Sequence, residues 1–563
     1  MLHCCNQLVF RMKKLLLLLL LFIPFVSVFS QEITEEDPIS WDLNLEMVEP
    51  ILLPPINLEL IQQEDMINDL DKSIPWRYGV TRPITLNLQT NGVWSTLENG
   101  DRVWRVAIKS PEALNMSVNF NDFHLPIGSR LHIYNGDRSD KSKTYSDQNN
   151  RLSKVLGSWF VTGDEIWVEY FEPSFAVGAV ELEIGSIIHG YRMGLINSWV
   201  DGTRGFNDSG DCNYDVNCFI GSDFEVHKNL VKKSVALLNL GNGFLCTTSL
   251  VNNTLSDKTP FLLTANHCLE NSDPALWSIR FNWVSPNPVC GSIENSADIQ
   301  SNFTMSGAEF RASNNKSDFA LVELYNSIPS SWDVAFAGWD NSDALPQYQV
   351  GIHHPNGDIM KICRDDNGAL KDNANGTDVW LIAGVSAGNG NGWEIGTTES
   401  GSSGSPLFNE DGRIIGQLYA GQSFCIGIEN NDDYDIYGRL GVSWNEGNTA
   451  ETRLSDWLDP IGTGQITIDV LENALGITDI EITDRLEIFP NPASEYIMVI
   501  NTQFPNLIYR FYDVLGRKVQ FGNLSNSENR INVSGMEEGI YFLHLIDEDT
   551  QKDITKKIII DKL

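Results

Sequence analysis

Phe261-Leu-Leu-Thr-Ala-Asn-His267-Cys268 is an apolar, strand-like run that stops on a histidine beside a cysteine. Two other stretches supply what such a histidine would need. Ser317-Asp318-Phe-Ala-Leu-Val-Glu-Leu324 sets an aspartate at the head of a second apolar strand, and Gly401-Ser-Ser403-Gly-Ser-Pro406 is a serine turn flanked by glycine. A serine hydroxyl is a poor nucleophile until an imidazole takes its proton. The imidazole in turn needs a carboxylate to fix its tautomer and stabilise its cationic form. The three stretches therefore predict His267 as general base, Asp318 as its orienter and Ser403 as nucleophile. The glycines allow a sharp turn that aims backbone N–H groups at a developing oxyanion. Taken singly, each stretch reads as ordinary structure: a structural or metal-binding histidine, a turn aspartate, a Gly/Ser loop. Their joint occurrence in the order His, Asp, Ser favours the catalytic reading.

The segment around them, residues 205–474, is rich in Gly, Ser and Asn, with short strands and six cysteines at 212, 218, 246, 268, 290 and 425. In an exported chain an even set reads as three disulfides, whose connectivity spacing alone leaves open. Cys363 is the odd one, a free buried thiol or a reactive one. No paired C-x-x-C pattern is present, so no metal and no cofactor is expected.

Export is read from the start of the chain. Arg11-Met-Lys-Lys14 and the apolar run from Leu15 to Phe29 form the charged and hydrophobic regions of a signal peptide, residues 1–30, cut after Ser30. That run is short against the roughly 20 residues that span a bilayer, and nothing beyond it is long and apolar enough, so no transmembrane segment is expected in the mature protein.

Residues 31–204 begin with an acidic, proline-containing segment, Glu32 to Pro55. They continue as alternating runs such as Val103-Trp-Arg-Val-Ala-Ile108 and Glu165-Ile-Trp-Val-Glu-Tyr170, the period of half-buried strands in a small β-sandwich. After a polar linker, residues 475–483, the stretch 484–563 alternates again, as in Tyr496-Ile-Met-Val-Ile500 and Gly539-Ile-Tyr-Phe-Leu-His-Leu545, and predicts a second sandwich. The chain is thus all-β and multidomain, since 563 residues exceed a typical domain of roughly 100–200. With 75 acidic against 39 basic side chains, the net charge of −36 argues against a nucleic-acid partner, which needs a concentrated basic face, and no Lys/Arg-rich run exists outside the extreme N-terminus.

Across residues 205 to about 470 the chain resembles the lysyl endopeptidase family of chymotrypsin-like serine proteases. The matching stretches include Gly210-Asp-Cys-Asn-Tyr-Asp-Val-Asn-Cys218, Leu263-Thr-Ala-Asn-His-Cys268, Ser317-Asp-Phe-Ala-Leu-Val-Glu-Leu324, Ile352-His-His-Pro-Asn356 and Arg453-Leu-Ser-Asp-Trp-Leu-Asp-Pro460. The resemblance implies a double antiparallel β-barrel with the site between the barrels and an oxyanion hole from the N–H groups of Gly401 and Ser403. It also implies disulfides Cys212–Cys425, Cys218–Cys290 and Cys246–Cys268. Thr397, six residues before Ser403, cannot pair with a cationic substrate. Asp435 matches the family's specificity aspartate, Trp380 matches a pocket tryptophan, and Tyr419 stands where the family has a histidine.

The expected function is a secreted, monomeric serine endopeptidase cutting protein substrates after lysine, and after arginine if Tyr419 relaxes the pocket. The alternatives are a strictly arginine-directed peptidase and a non-catalytic adhesin on a protease-like scaffold. Residues 31–204 are then, as the resemblance implies, a prodomain that assists folding and blocks the cleft. No lysine lies between Lys154 and Cys212, so a cut just before the first disulfide falls after Arg204 and leaves Gly205 as the new N-terminus. The C-terminal stretch, with Ile488-Phe-Pro-Asn-Pro-Ala493 and Asp513-Val-Leu-Gly-Arg-Lys518, resembles the sorting domain of the type IX secretion system. That resemblance implies the secretion machinery as partner, and export across both membranes of a Gram-negative bacterium.

Overall fold

The computed structural model describes residues 37–176, 180–193, 208–296, 303–473, 486–501, 507–513, 517–524, 528–547 and 553–562. The leader, the Arg204 to Gly205 junction and the 475–483 linker lie outside the described residues.

The N-terminal unit is two stacked sheets. One runs in the order Ile51–Leu52, Arg102–Lys109, Glu165–Glu172, Arg130–Asn135. The other runs Gly79–Asn87, Glu181–Gly190, Asn115–His124, Leu156–Gly157. Val106, Ile108, Ile133, Val118, Phe120 and Ile184 pack between them. The expected half-buried pattern fails on Arg102–Lys109, where every residue from Val103 to Ile108 is buried. The reason is a cover: the segment preceding Ile51 lies over the outer face, where the Ser40 amide donates to Glu169 and Trp41 packs edge-on against Tyr134. An α-helix, Leu58–Asn68, capped by Asn57, interrupts the strands and was not evident in the alternation pattern.

Residues 208–473 form two antiparallel barrels. The first follows the order Phe303–Ser306, Ser278–Phe281, Val235–Asn239, Phe244–Val251, Phe261–Ala265, Phe319–Leu324, Ala308–Asn314. Its two ends are consecutive in the chain through Gly307, whose φ of +80° permits the sharp corner. The second runs Tyr214–Asp215, Lys361–Asp365, Gln349–His353, Pro406–Asn409, Ile414–Gly421, Asp435–Arg439, Thr377–Ile382, Leu370–Ala374. Leu250, Leu262 and Val322 fill the first barrel, and Leu407, Leu418 and Tyr437 the second. A further cluster including Leu263, Phe319, Ile352 and Phe408 draws on both, so the barrels meet across an apolar seam.

The N-terminal unit is joined to the first barrel by main chain as well as side chains. Trp76–Arg77 adds as an antiparallel strand to Phe244–Val251, and Trp76, Tyr78, Trp159, Leu237 and Trp283 share one buried cluster. The C-terminal unit is again two sheets, of three and four strands, packed through Ile497, Val499, Phe511, Leu543 and Ile558. No helix among the described residues is long and apolar enough to cross a membrane.

Candidate active site

The strand Phe261–Ala265 delivers the chain into one short helix, Asn266–Leu269, with His267 at its start. Asp318 precedes the neighbouring strand, and the Asn266 amide donates to its carbonyl at 2.8 Å, which fixes the two elements side by side. Its carboxylate takes the His267 backbone N–H on Oδ1 at 3.0 Å and His267 Nδ1–H on Oδ2 at 2.8 Å. Asp318 pays for this in backbone strain, since its φ of +51° is left-handed. With Nδ1 committed, Nε2 is the free imidazole nitrogen. It is buried and has no hydrogen-bond partner among the described residues.

Ser403 sits on a tight turn. Its carbonyl accepts from the Thr247 amide at 2.8 Å, while the next residue, Gly404, packs so closely on the His267 strand that a Cβ there would lie 2.1 Å from Thr264 Oγ1. The strand carrying His267 and the serine turn are thus locked together by a glycine at φ +81°. The amides of Gly401 and Ser403 donate to nothing among the described residues. Beneath the turn, Ser402 Oγ accepts from the Glu399 amide and lies 2.8 Å from Nδ1 of the fully buried His353. Burial pushes the His353 imidazole well below its ordinary range and that of His354 to about 4. In the sequence these two histidines were visible only as part of a matching block.

The pocket beside this turn ends in Asp435, which is 0% exposed. Its Oδ2 accepts from Trp393 Nε1 at 2.7 Å, Thr398 Oγ1 at 2.8 Å and Ser423 Oγ at 2.6 Å. A Cβ on Gly421 would reach within 1.8 Å of Oδ1, so glycine there keeps that oxygen open to the pocket. The chain fills the pocket itself. Lys72, from the N-terminal unit and 4% exposed, donates from Nζ to Asp435 Oδ1 at 2.7 Å and to Thr398 Oγ1 and Ser423 Oγ at 2.8 Å each. Ser403 Oγ donates to the Lys72 carbonyl at 2.7 Å.

Against known proteins, residues 206–438 match the family "Lysyl endopeptidase, C-terminal domain". Over these residues the chain is similar to that family. A lysyl endopeptidase of Pseudomonas aeruginosa is 28% identical over 231 residues, 39% of this chain, and the match spans about half (47%) of that relative's length. Among solved structures, Deg5 aligns at 13% identity over 39% of this chain and 91% of its own, with a TM-score of 0.23. Kallikrein-related peptidase 10 aligns at 14% over 37% and 91%, with a TM-score of 0.24. Residues 487–561 match the "Secretion system C-terminal sorting domain", which marks the chain for export across a Gram-negative envelope.

Within residues 208–473 the cysteines pair as Cys212–Cys425, Cys218–Cys290 and Cys246–Cys268. Cys246, His267 and Cys268 hold three ligand-type atoms within 4.8 Å, but both sulfurs are spent in a disulfide and offer no thiolate to a metal. Cys363 is free and buried, and burial pushes its thiol well above the usual range, which leaves it inert.

One residue expected at the pocket lies elsewhere. Trp380 is 1% exposed, donates its indole N–H to the Ile415 carbonyl at 2.9 Å and carries the Arg439 guanidinium over its ring, so it belongs to the barrel core. The tryptophan that touches Asp435 is Trp393. Tyr419 lies with its ring 6.2 Å from that of His267, beside the imidazole. Thr398 and Ser423 were missed because isolated hydroxyl residues in a Gly/Ser-rich segment carry no sequence signal.

Proposed function

We propose that the protein is an exported serine endopeptidase that hydrolyses peptide bonds on the carboxyl side of lysine. The observation that carries this reading is the Lys72 ammonium on the pocket floor. Its three N–H groups meet three acceptors at 2.7–2.8 Å, one of them a fully buried carboxylate oxygen. A guanidinium would be served less well. Asp435 Oδ2 already accepts three bonds, so only one carboxylate oxygen faces the pocket and the two-pronged carboxylate pairing that arginine favours has no second carboxylate oxygen. A neutral side chain would leave Asp435 buried and unpaired, which is a strong discriminator.

In the proposed reaction Ser403 Oγ attacks the substrate carbonyl carbon as its proton passes to His267 Nε2. Asp318 holds Nδ1–H and stabilises the imidazolium, and the Gly401 and Ser403 amides receive the oxyanion. The C–N bond then breaks, the leaving amine takes the proton from Nε2, and water repeats the sequence to free the enzyme. On this reading residues 31–204 are a prodomain removed after Arg204, 205–474 the enzyme, and 484–563 the sorting domain that the type IX machinery engages.

Digesting a denatured protein with the processed enzyme tests it. Fragments should end in lysine, and Ser403→Ala should cut at least roughly 10⁴-fold more slowly. Asp435→Asn should lower kcat/KM on lysyl peptides roughly 10²- to 10³-fold, the scale of breaking a buried ion pair. Undiminished cutting by Ser403→Ala would overturn the mechanism, and fragments ending in arginine would overturn the lysine assignment.

A further inference from the structure

We propose that Lys72 is a built-in lure: the turn that carries it inhibits the peptidase by occupying the lysine pocket in a conformation that cannot be cut. The inference rests on the reading that the Asp435 pocket takes lysine.

The segment is fastened on both sides. Upstream, the helix Leu58–Asn68 presents Asp65, 1% exposed, to Arg77 Nε at 2.7 Å, Arg192 Nη2 at 2.6 Å and the Tyr191 hydroxyl at 2.6 Å. Asp69 adds a bond from Arg192 at 2.8 Å, and its carbonyl accepts from Ser400 Oγ, three residues before the nucleophile. Downstream, Trp76–Arg77 is a strand of the first barrel. Lys72 stands between these anchors and reaches Asp435 with its carbonyl at Ser403.

The side chain is substrate-like and the backbone is not. Residues 71–74 form a β-turn, closed by the Ile74 amide on the Asp71 carbonyl at 3.1 Å. The Asp71 carboxylate locks the turn by accepting from the Ser73 amide at 3.0 Å and the Ser73 hydroxyl at 2.6 Å. Cleavage would need a bond from Ser403 Oγ to the Lys72 carbonyl carbon, the hydroxyl proton on His267 Nε2, the carbonyl oxygen on the Gly401 and Ser403 amides, and departure of the Ser73 amine with that proton. Here the hydroxyl hydrogen is spent on the Lys72 carbonyl oxygen, Nε2 has no partner among the described residues, and the two amides donate to nothing among them. The Ser73 nitrogen is held by Asp71, on the other side of the scissile bond, so even a cut turn would keep its amine in place for rejoining. Only a displaced turn would leave the pocket free.

The test uses the full-length chain with Arg204→Gln to slow processing, a fluorophosphonate probe that reacts with Ser403, and intact mass to follow cutting. The Lys72 chain should label slowly and keep its Lys72–Ser73 bond. Lys72→Met should label roughly tenfold faster or more. Asp71 is exposed, so Asp71→Ala leaves the buried pair untouched and stands in if Lys72→Met fails to fold. It should release the turn and yield a cut between Lys72 and Ser73. Equal labelling by folded Lys72→Met, or an Asp71→Ala chain as slow and as intact as its parent, would overturn the lure. So would prompt cutting at Lys72–Ser73 in the parent. Processed enzyme that neither labels nor cleaves lysyl peptides would instead overturn the peptidase reading itself.

Discussion

His353 and His354 show what single residues can cost a fold that uses them. Both are fully buried beneath the serine turn, with His353 on Ser402 Oγ and His354 Nδ1 2.9 Å from the Asp358 carbonyl, and their Nε2 atoms have no partner among the described residues. Burial therefore holds both imidazoles neutral, pushing His354 down to about 4 and His353 well below its usual range. A ring whose folded pKa lies below its unfolded value binds fewer protons folded than unfolded. Its stabilisation is complete above the unfolded pKa of about 6.5 and is lost as pH falls from there through the folded value. For His354 alone that amounts to about 3 kcal/mol between pH 6.5 and 4. The urea midpoint should fall steeply across that window, and His354→Phe should flatten the slope by up to one proton. A midpoint indifferent to pH between 6.5 and 4 would show that the two rings are not held neutral by burial. The turn they support carries Ser403, the proposed nucleophile, so loss of the serine geometry should accompany acid unfolding.

At the scale of elements, the helix Leu58–Asn68 is held by charge where most helices are held by grease. Leu60, Met66 and Ile67 are exposed at 57%, 68% and 72%, and the one buried side chain is Asp65. Asp65→Ala should leave Arg77 and Arg192 without their shared carboxylate, loosening the helix and the Lys72 turn it steers by about 3–5 kcal/mol. Limited proteolysis of the unprocessed chain should then cut within 58–74 well before the parent does, while the enzyme left by the proposed cut after Arg204, which would lack this segment, should keep its rate. This helix also marks where sequence reading stops. Phe261–Ala265 and Phe319–Leu324 were legible because apolar runs bounded by turn residues declare a buried strand, and because each hands over a residue with recognisable chemistry, His267 or Asp318. A helix whose buried face is a single aspartate has no apolar stripe to read. The pocket follows the same rule. Asp435 stands out as a charge, whereas Thr398 and Ser423 matter only through the fold that brings residues from two loops onto one carboxylate. Trp380 and Trp393 are indistinguishable as letters, and the register of Thr377–Ile382 against Asp435–Arg439 turns the first into the core.

For the whole molecule, the distribution of charge sharpens the functional reading. Residues 1–204 hold 26 acidic and 17 basic side chains, a net −9. Residues 205–474 hold 35 and 13, a net −22, and residues 475–563 hold 14 and 9, a net −5. Most of the −36 therefore sits on residues 205–474, the proposed peptidase. Asp435 cannot account for the excess, because it is buried and acts only on the cation that reaches it. The surface acids act earlier, at distances set by the screening length of about 8 Å at physiological salt. A negative surface should draw lysine-rich substrates and speed their encounter, a gain that salt removes. Raising salt from about 20 to 200 mM should thus lower kcat/KM for a multi-lysine peptide several-fold, leave kcat in place, and change the rate on a singly charged lysyl ester far less. Equal salt dependence for both substrates would assign the effect to the pocket pair alone. No dependence for either would mean that the acidity serves solubility and not capture. The contrast between the two substrates separates long-range attraction from the pocket contact, because only the former grows with the number of lysines that stay outside the pocket.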